Sequence, residues 1–314
     1  MDKSTNCHLT ETVLQAIAPY NDQNMIIALS GGIDSMVMLH VVSQVRKVVA
    51  VHTIGTCTEK DFSNAQKLKS WADKMNLELH IHASSKEIKA ASRLRKFKYT
   101  CMQKHLEKGD ILISGHHLND QIETLIIKSM KGHMLDGWTM RPVRPLGKGK
   151  LLRPMLSISK DCIRKYGRDN DVFFMEDEIN LNLSYLRNEI RHTVVDPLLR
   201  NHPEALNGWK RGMQTLEENV VINQARYEDH RRTCFCEGRL ILSKLSSLLD
   251  IEQTYLLKFW MRSKRIYHSS DLISHFKENL TSSQKRWSYR ISENLYLVKE
   301  DWIAYLSKNG KLLC

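Results

Sequence analysis

Six consecutive residues near the amino end, from Ser30 to Ser35, constrain the fold more than any other part of the chain. They read Ser-Gly-Gly-Ile-Asp-Ser and follow an apolar run, Met25 to Leu29, typical of a buried strand. An amphipathic stretch from Ser35 to Val45 comes next. Because backbone N–H groups at the start of a helix face an incoming anion, this order of strand, turn and helix predicts a phosphate-binding loop.

The side chains of the loop suit phosphate only if a metal ion also binds. The two glycines let phosphate oxygens approach the backbone, and the hydroxyls of Ser30 and Ser35 can donate hydrogen bonds. Asp34 would repel phosphate unless Mg²⁺ bridges the two, since Mg²⁺ sites combine one or two carboxylates with phosphate oxygens and water. The residues expected to bind phosphate are Ser30, Gly31, Gly32, Ile33, Asp34 and Ser35, with Asp34 also the metal ligand.

No Gly-Lys-Ser or Gly-Lys-Thr follows the loop, so it lacks the lysine that grips the outer phosphates during γ-phosphoryl transfer. The loop therefore predicts cleavage of a different phosphate bond. The alternative is a tight glycine turn that caps a helix and binds nothing. The strand before the turn and the helix after it count against that alternative.

Apolar runs alternate with helical segments through the first 130 residues. Further strands are expected at Val48 to Thr53, Leu77 to His82 and Ile111 to Ser114, with helices at Asp61 to Met75 and Lys86 to Lys108. This alternation predicts an α/β fold with a doubly wound parallel sheet. Ligands of such sheets bind at the carboxyl ends of the strands, so functional loops should follow Leu29, Thr53, His82 and Ser114.

A change of pattern near residue 201 divides the chain. From Asn201 to Pro203 the alternation gives way to polar helices. Two β-rich runs flank Ser292 to Asn294 and favour a closing hairpin. The sequence thus predicts an α/β domain over residues 1–200 and a smaller, mainly helical domain over residues 201–314 that ends in the hairpin.

The 314 residues carry 47 Lys and Arg against 35 Asp and Glu, a formal charge of +12. Two segments concentrate this charge: Lys86 to Lys104 contains a single acid, Glu87, and Arg141 to Arg153 contains none. Such segments favour a polyanionic partner, although a merely basic soluble protein would have the same total charge. The seven cysteines are scattered, and no apolar run is long enough to span a bilayer, so we expect a cytoplasmic protein without membrane attachment.

A second polar group follows the strand that should end at Ser114. Two imidazoles, His116 and His117, come first, and then Asp120 and Glu123, which are three residues apart on one face of the next helix. A carboxylate pair can hold a cationic amine, and one carboxylate can take a proton as the nitrogen attacks. The alternative is a capped helix with solvated acids in its first turn.

Arg187 and Arg191 form another pair, at the i, i+4 spacing that places them on one helix face. Guanidinium groups suit phosphate or a polarised carbonyl oxygen. A solvated basic helix face is the alternative.

The Ser30 to Ser35 loop resembles the pyrophosphatase loop of the N-type ATP pyrophosphatase superfamily, and Gly115 to Thr124 resemble the tRNA(Ile)-lysidine synthases within it. The similarity extends over roughly residues 20 to 200 and implies a fold like that of the adenine nucleotide alpha hydrolases. Its further segments are Ala91 to Tyr99, Lys131 and Gly132, Gly137 to Pro142, Arg153 to Leu156, Glu176 to Asn180 and Tyr185 to Arg191.

The resemblance implies a ligase that uses ATP and Mg²⁺ and cleaves between the α and β phosphates. ATP would adenylate the C2 carbonyl oxygen of the wobble cytidine in tRNA(Ile), and the ε-amine of L-lysine would displace AMP to give lysidine. A homodimer is left open. The implied catalytic residues are Asp34, Asp120, Glu123 and Arg191, and the implied substrate-binding residues are His117, Asp120, Glu123, Arg187 and Arg191.

Some positions depart from the family pattern. The residues after His52 lack a second histidine, and Lys98 and Lys131 stand where arginines are usual. His133 and Met134 replace a small residue and a glycine. Two alternatives therefore stay open: a tRNA-thiolating enzyme of the same superfamily, which would need paired cysteines, and a nucleotide-dependent RNA-binding homologue without catalysis.

Overall fold

The structure, a computed structural model, describes residues 3–132, 138–175, 182–264, 266 and 270–312. It divides into two compact units, Met1–Leu216 and Glu217–Cys314. The border falls inside one long helix, and the domain boundary expected at residues 200 and 201 stays a prediction.

The first unit contains a six-stranded sheet. In chain order its strands are β1 Met25–Ala28, β2 Val48–Ile54, β3 Glu78–Ala83, β4 Ile111–Ser114, β5 Val143–Leu146 and β6 Gly149–Leu152. Their order across the sheet is β3-β2-β1-β4-β6-β5, and every pairing is parallel except that of β5 with β6. The α/β fold with a parallel sheet is confirmed, while β5 and β6 were not among the expected strands.

Helices alternate with these strands and continue after them along the chain. In chain order they are α1 Lys3–Ile17, α2 Ile33–Ser43, α3 Glu59–Lys74, α4 Ala91–Gln103, α5 Leu118–Met130, α6 Lys160–Asp169, α7 Leu186–Ile190, α8 Asp196–Asn201 and α9 Ala205–Cys234. A π turn, Arg191–Val195, joins α7 to α8. Helix α4 is shorter at both ends than the segment Lys86 to Lys108 that the sequence predicts.

Alternate residues of the central strands point to opposite faces of the sheet, and both faces are covered. In β1, Met25 and Ile27 pack with residues of α1, α2, α3 and α6, whereas Ile26 packs with Met102 of α4. In β4, Leu112 likewise faces α4. This two-sided burial explains the continuous apolar runs of the strands, which are typical of parallel sheets.

The crevice that holds the site follows from the strand order. The chain leaves β1 towards β2 and leaves β4 towards β6, so the connections diverge between the neighbouring strands β1 and β4. Ligands of open α/β sheets bind outside the carboxyl ends of the strands at such a switch point. The loops after Ala28 and Ser114 therefore meet at one place.

The second unit combines helices with an antiparallel sheet. It contains α10 Leu242–Ser246, α11 Asp250–Ser263 and α12 Ser270–Thr281, with strands β7 Phe235–Cys236, β8 Arg239–Ile241, β9 Arg286–Ser292, β10 Leu295–Glu300, β11 Ile303–Lys308 and β12 Lys311–Leu312. The strand order is β7-β8-β11-β10-β9, and β12 pairs with β11. The expected hairpin is formed by β9 and β10 within this larger sheet. No helix among the described residues is long and apolar enough to cross a membrane.

Candidate active site

The loop from Ser30 to Ser35 has the backbone of an anion site. Gly31 has φ +87°, a backbone conformation that favours glycine, whereas the 2.4 Å contact that a Cβ there would make with Cε of Met175 could be relieved by that flexible side chain. The Ser35 hydroxyl accepts from the Ser30 N–H at 3.1 Å and donates to the Gly32 carbonyl at 2.9 Å. These bonds tie the two ends of the loop together at the start of α2.

The amino end of α2 is left open for a ligand. Its N-cap residue is Gly32, whose lack of a side chain means that it cannot cap the helix itself. Among the described residues, none accepts from the N–H groups of Ile33 or Asp34. Free N–H groups at a helix start carry partial positive charge, which suits an anion.

Lys160 is a residue that the sequence reasoning missed. Its Nζ lies 2.6 Å and 2.7 Å from the two carboxylate oxygens of Asp34. Lys160 is the first residue of α6, which Ser159 caps, and its N–H donates to Oδ1 of Asn119 at 3.0 Å. The structure thus brings a lysine to a loop that has none of its own.

The glycine after β4 brings the second polar group against the loop. A Cβ on Gly115 would lie 2.8 Å from the carbonyl oxygen of Asp34 and 3.0 Å from the nitrogen of Ser35. Backbone atoms at such distances cannot move aside cheaply. A residue without a side chain is therefore required where the two loops cross.

The two histidines have different surroundings. Nδ1 of His116 lies 2.9 Å from the Ser114 hydroxyl, and burial is the main reason that the pKa of His116 falls to about 4. His117 is only 3% exposed; its Nε2 lies 3.7 Å from Asp34 and 3.5 Å from Asp120, while its buried Nδ1 has no hydrogen-bond partner. His117 therefore bridges the loop and the acid pair.

The acid pair is buried and held by both arginines. Arg191 donates through Nε to Oε1 of Glu123 at 2.6 Å and through Nη2 to Oδ1 of Asp120 at 3.2 Å. Nε of Arg187 lies 3.3 Å from Oε2 of Glu123, which is 0% exposed. The four predicted side chains do meet, and the alternatives of solvated acids and a solvated basic face are wrong.

The pKa values of Asp120 and Glu123 shift in opposite directions. Burial opposes ionisation of Asp120, but His117, His116, Arg187 and Arg191 together lower its pKa below the ordinary range. Burial raises the pKa of Glu123, against the hydrogen bond from Arg191. Oδ2 of Asp120 also accepts a hydrogen bond from the backbone N–H of His117 at 3.1 Å. Asp120 is thus held ionised on the side nearer the loop.

The remaining predicted features are His52, the other family-like segments and a metal site. Nδ1 of His52 lies 2.8 Å from the carbonyl oxygen of Leu29, at the end of β1. The family-like segment Glu176 to Asn180, together with His133, Met134 and Gly137, lies outside the described residues. Among the residues that are described, no three or more His, Cys, Asp or Glu side chains are arranged to hold a metal.

Comparisons with known proteins agree with this architecture. The PP-loop domain family matches residues 5–198. The chain is 28% identical over 256 residues to the tRNA(Ile)-lysidine synthase of Coxiella burnetii, covering 77% of this chain and 56% of that protein. It is 26% identical over 279 residues to the Vibrio atlanticus tRNA(Ile)-lysidine synthase, covering 81% of this chain and 61% of that protein. The chain thus spans less than two thirds of the length of these two relatives.

A third relative and a solved structure extend the comparison. The Hamiltonella defensa tRNA(Ile)-lysidine synthase is 28% identical over 335 residues, which cover 95% of this chain and 71% of that protein. The U34-tRNA thiolase NcsA from Methanococcus maripaludis, solved with its [4Fe-4S] cluster, superposes with a TM-score of 0.54 at 15% identity over 68% of this chain and 79% of that chain. At that identity the likeness concerns the fold alone.

Proposed function

Since the chain belongs to the PP-loop domain family, we propose that it is a tRNA(Ile)-lysidine synthase. It uses ATP to adenylate the wobble cytidine of tRNA(Ile) with a CAU anticodon and then joins the ε-amine of L-lysine to that base. The observation that carries the proposal is His117, whose Nε2 lies within 3.7 Å of both Asp34 and Asp120. It joins a phosphate loop to an acid pair suited to an amine.

The phosphates of ATP bind at the Ser30 to Ser35 loop. The open N–H groups of Ile33 and Asp34 would donate to them, and Lys160, whose Nζ lies 2.6 Å from Asp34 of the same loop, would balance charge that develops on the departing pyrophosphate. Asp34 would hold Mg²⁺, which suits a site with one carboxylate and phosphate oxygens and would neutralise phosphate charge.

The reaction has two steps. In the first, the C2 carbonyl oxygen of cytidine attacks the α phosphorus of ATP, and the bond to pyrophosphate breaks. In the second, the lysine nitrogen attacks C2, the bond from C2 to the AMP oxygen breaks, and the amine loses a proton. Adenylation makes the oxygen a good leaving group, and binding both substrates at one edge of the sheet supplies proximity.

Asp120 orients the amine in this proposal. Its carboxylate is ionised and lies on the side of the cluster nearer the loop, so it suits an incoming ammonium group. The sequence implies Glu123 as a second amine ligand, but Glu123 is 0% exposed and both of its oxygens accept from Arg191, whereas Asp120 accepts only one bond from that guanidinium. We therefore assign Glu123 to positioning Arg187 and Arg191, which in turn face the polarised base and its phosphate.

A labelled-lysine assay tests the proposal. The full chain is incubated with ATP, Mg²⁺, radiolabelled L-lysine and a tRNA(Ile) transcript that has a CAU anticodon. Transfer of label to the RNA with one AMP formed per lysine is expected, and Asp34→Asn should abolish both while leaving RNA affinity nearly unchanged. Nucleotide and RNA binding without AMP release would instead favour the non-catalytic homologue, and sulfur incorporation would favour the thiolating enzyme. Cytoplasmic location and a homodimer stay predictions.

A further inference from the structure

The two basic segments seen in the sequence converge on one side chain, Tyr99. Arg95 comes from the first segment, and Arg144 and Arg153 come from the second. The guanidinium carbons of Arg95 and Arg144 lie 5.4 Å and 5.0 Å from the centre of the Tyr99 ring. Burial by itself would raise the pKa of Tyr99, but the charges of Arg95, Arg153 and Arg144 lower that pKa below its ordinary value. We call Arg95, Tyr99, Arg144 and Arg153 the arginine cluster.

Arg153 is the least expected member of the arginine cluster. It is 3% exposed; its Nη1 donates to the Arg141 carbonyl at 2.6 Å, while its buried Nε has no partner. Burial lowers the pKa of Arg153, which reflects the cost of a buried charge. Within the described ranges, no carboxylate forms an ion pair with any arginine of the cluster. Three guanidinium groups therefore converge with no carboxylate partner in the part of the chain that the structure describes.

The position of the arginine cluster indicates which anion it takes. Arg153 directly follows β6, whose residue Leu152 pairs with Ile113 of β4, so it lies at the same sheet edge as the proposed site. Strand β6 flanks β4 on the side away from β1, which carries the phosphate loop. Arg153 and Arg95 are among the charges that act on His116. Arg153 thus lies beside the site on the β6 side of β4, away from the phosphate loop that follows β1.

We infer that the arginine cluster binds one phosphodiester of the RNA backbone next to the nucleotide that is modified. This inference rests on the proposed function, since it deepens the binding of RNA at the same site. Guanidinium groups bind phosphate oxygens in a bidentate manner, and stacking on Tyr99 fixes two of them before RNA arrives. Contacts of this kind set the register of an RNA without reading its sequence.

Paired variants on one helix test the inference. Arg95→Gln and Arg93→Gln each remove one exposed charge from α4, but only Arg95 contacts Tyr99. Affinity is measured for an anticodon stem-loop RNA with a CAU loop and, separately, for ATP. We expect Arg95→Gln to weaken RNA binding about tenfold and leave ATP affinity within about twofold, with a much smaller effect for Arg93→Gln. Equal losses for the two variants, or a loss confined to ATP, would overturn the inference.

Neutral RNA linkages identify the phosphate. Methylphosphonate replaces one phosphodiester at a time in the anticodon loop, and each RNA is titrated with wild type and with Arg95→Gln. One linkage next to the wobble cytidine should weaken wild-type binding and remove the difference between the two proteins. If every linkage leaves that difference intact, no phosphodiester occupies the cluster. Because the titrations need neither lysine nor turnover, this result is separate from the outcome of the labelled-lysine assay.

Discussion

Replacement of Glu123 by glutamine should show how strongly the buried cluster holds the first unit together. Both carboxylate oxygens of Glu123 accept from Arg191, at 2.6 Å and 3.1 Å, and Nε of Arg187 lies 3.3 Å from one of them. Glutamine keeps the size of the side chain but offers one acceptor oxygen and an NH₂ group. That NH₂ group would face a guanidinium, so donor would meet donor.

The expected loss of stability is large because Glu123 is fully buried. Breaking a buried ion pair by removing one partner costs about 3–5 kcal/mol, since the other charge is left without compensation. Arg191 keeps a contact with Asp120 at 3.2 Å and is partly exposed, which favours the lower end, about 3 kcal/mol. For a unit of this size, a loss of about 3 kcal/mol lowers Tm by about 6–12 °C.

Thermal and urea unfolding measure this loss of stability. A double-mutant cycle shows how much of the loss comes from the interaction of Glu123 with Arg187. Arg187→Gln alone and Glu123→Gln with Arg187→Gln complete the cycle. We expect the double variant to be more stable than the sum of the two single losses implies, by about 1 kcal/mol or more. A Tm change of less than 2 °C for Glu123→Gln would refute the reasoning, because a fully buried carboxylate between two arginines cannot be replaced at so little cost.

Two further substitutions test close packing and pH dependence. Gly115→Ala puts a Cβ against the backbone of Asp34 and should lower the free energy of unfolding by about 1–3 kcal/mol and AMP formation about 10- to 100-fold. The control Gly212→Ala lies in open space on α9. It should leave AMP formation unchanged and raise the free energy of unfolding by up to about 1 kcal/mol. His116 has a folded pKa of about 4 against 6.5, so the unfolded chain binds its proton first as pH falls. The free energy of unfolding should therefore drop between pH 6.5 and 4 by up to about 1.4 kcal/mol per pH unit. Urea titrations at several pH values should show a flatter slope for His116→Gln. An unchanged slope would contradict the assignment.

The sequence predicts the central strands well because they are buried on both faces. β1, β2, β3 and β4 each lie within a residue or two of the expected bounds. The hairpin of β5 and β6 was missed because its residues were interpreted only as a basic segment. A signal was present: Gly147, with φ +57°, and Lys148 form a two-residue turn between the strands.

The candidate site was predictable where local spacing decides and hidden where distant segments meet. The spacing of Asp120 and Glu123 indicates that they share a helix face, and they do. Their ion pairs with Arg191 span 71 and 68 residues, and the contact of Lys160 with Asp34 spans 126. One sequence contains no periodicity or spacing that links such positions, so these partners emerge only from the packing of α2, α5, α6 and the π turn that follows α7.

The missing lysine of the phosphate loop has a physical explanation in the convergence of three helix starts. Asp34 lies in the first turn of α2, the side chain of His117 reaches it from the start of α5, and Lys160 reaches it from the start of α6. Each helix start carries about half a positive charge. The Leu118 N–H donates to the Ile158 carbonyl at 2.9 Å, which fixes the starts of α5 and α6 together. In the proposed binding mode, the dipoles of these three helices would attract phosphate together with Lys160, which α6 brings to a loop that has no lysine of its own.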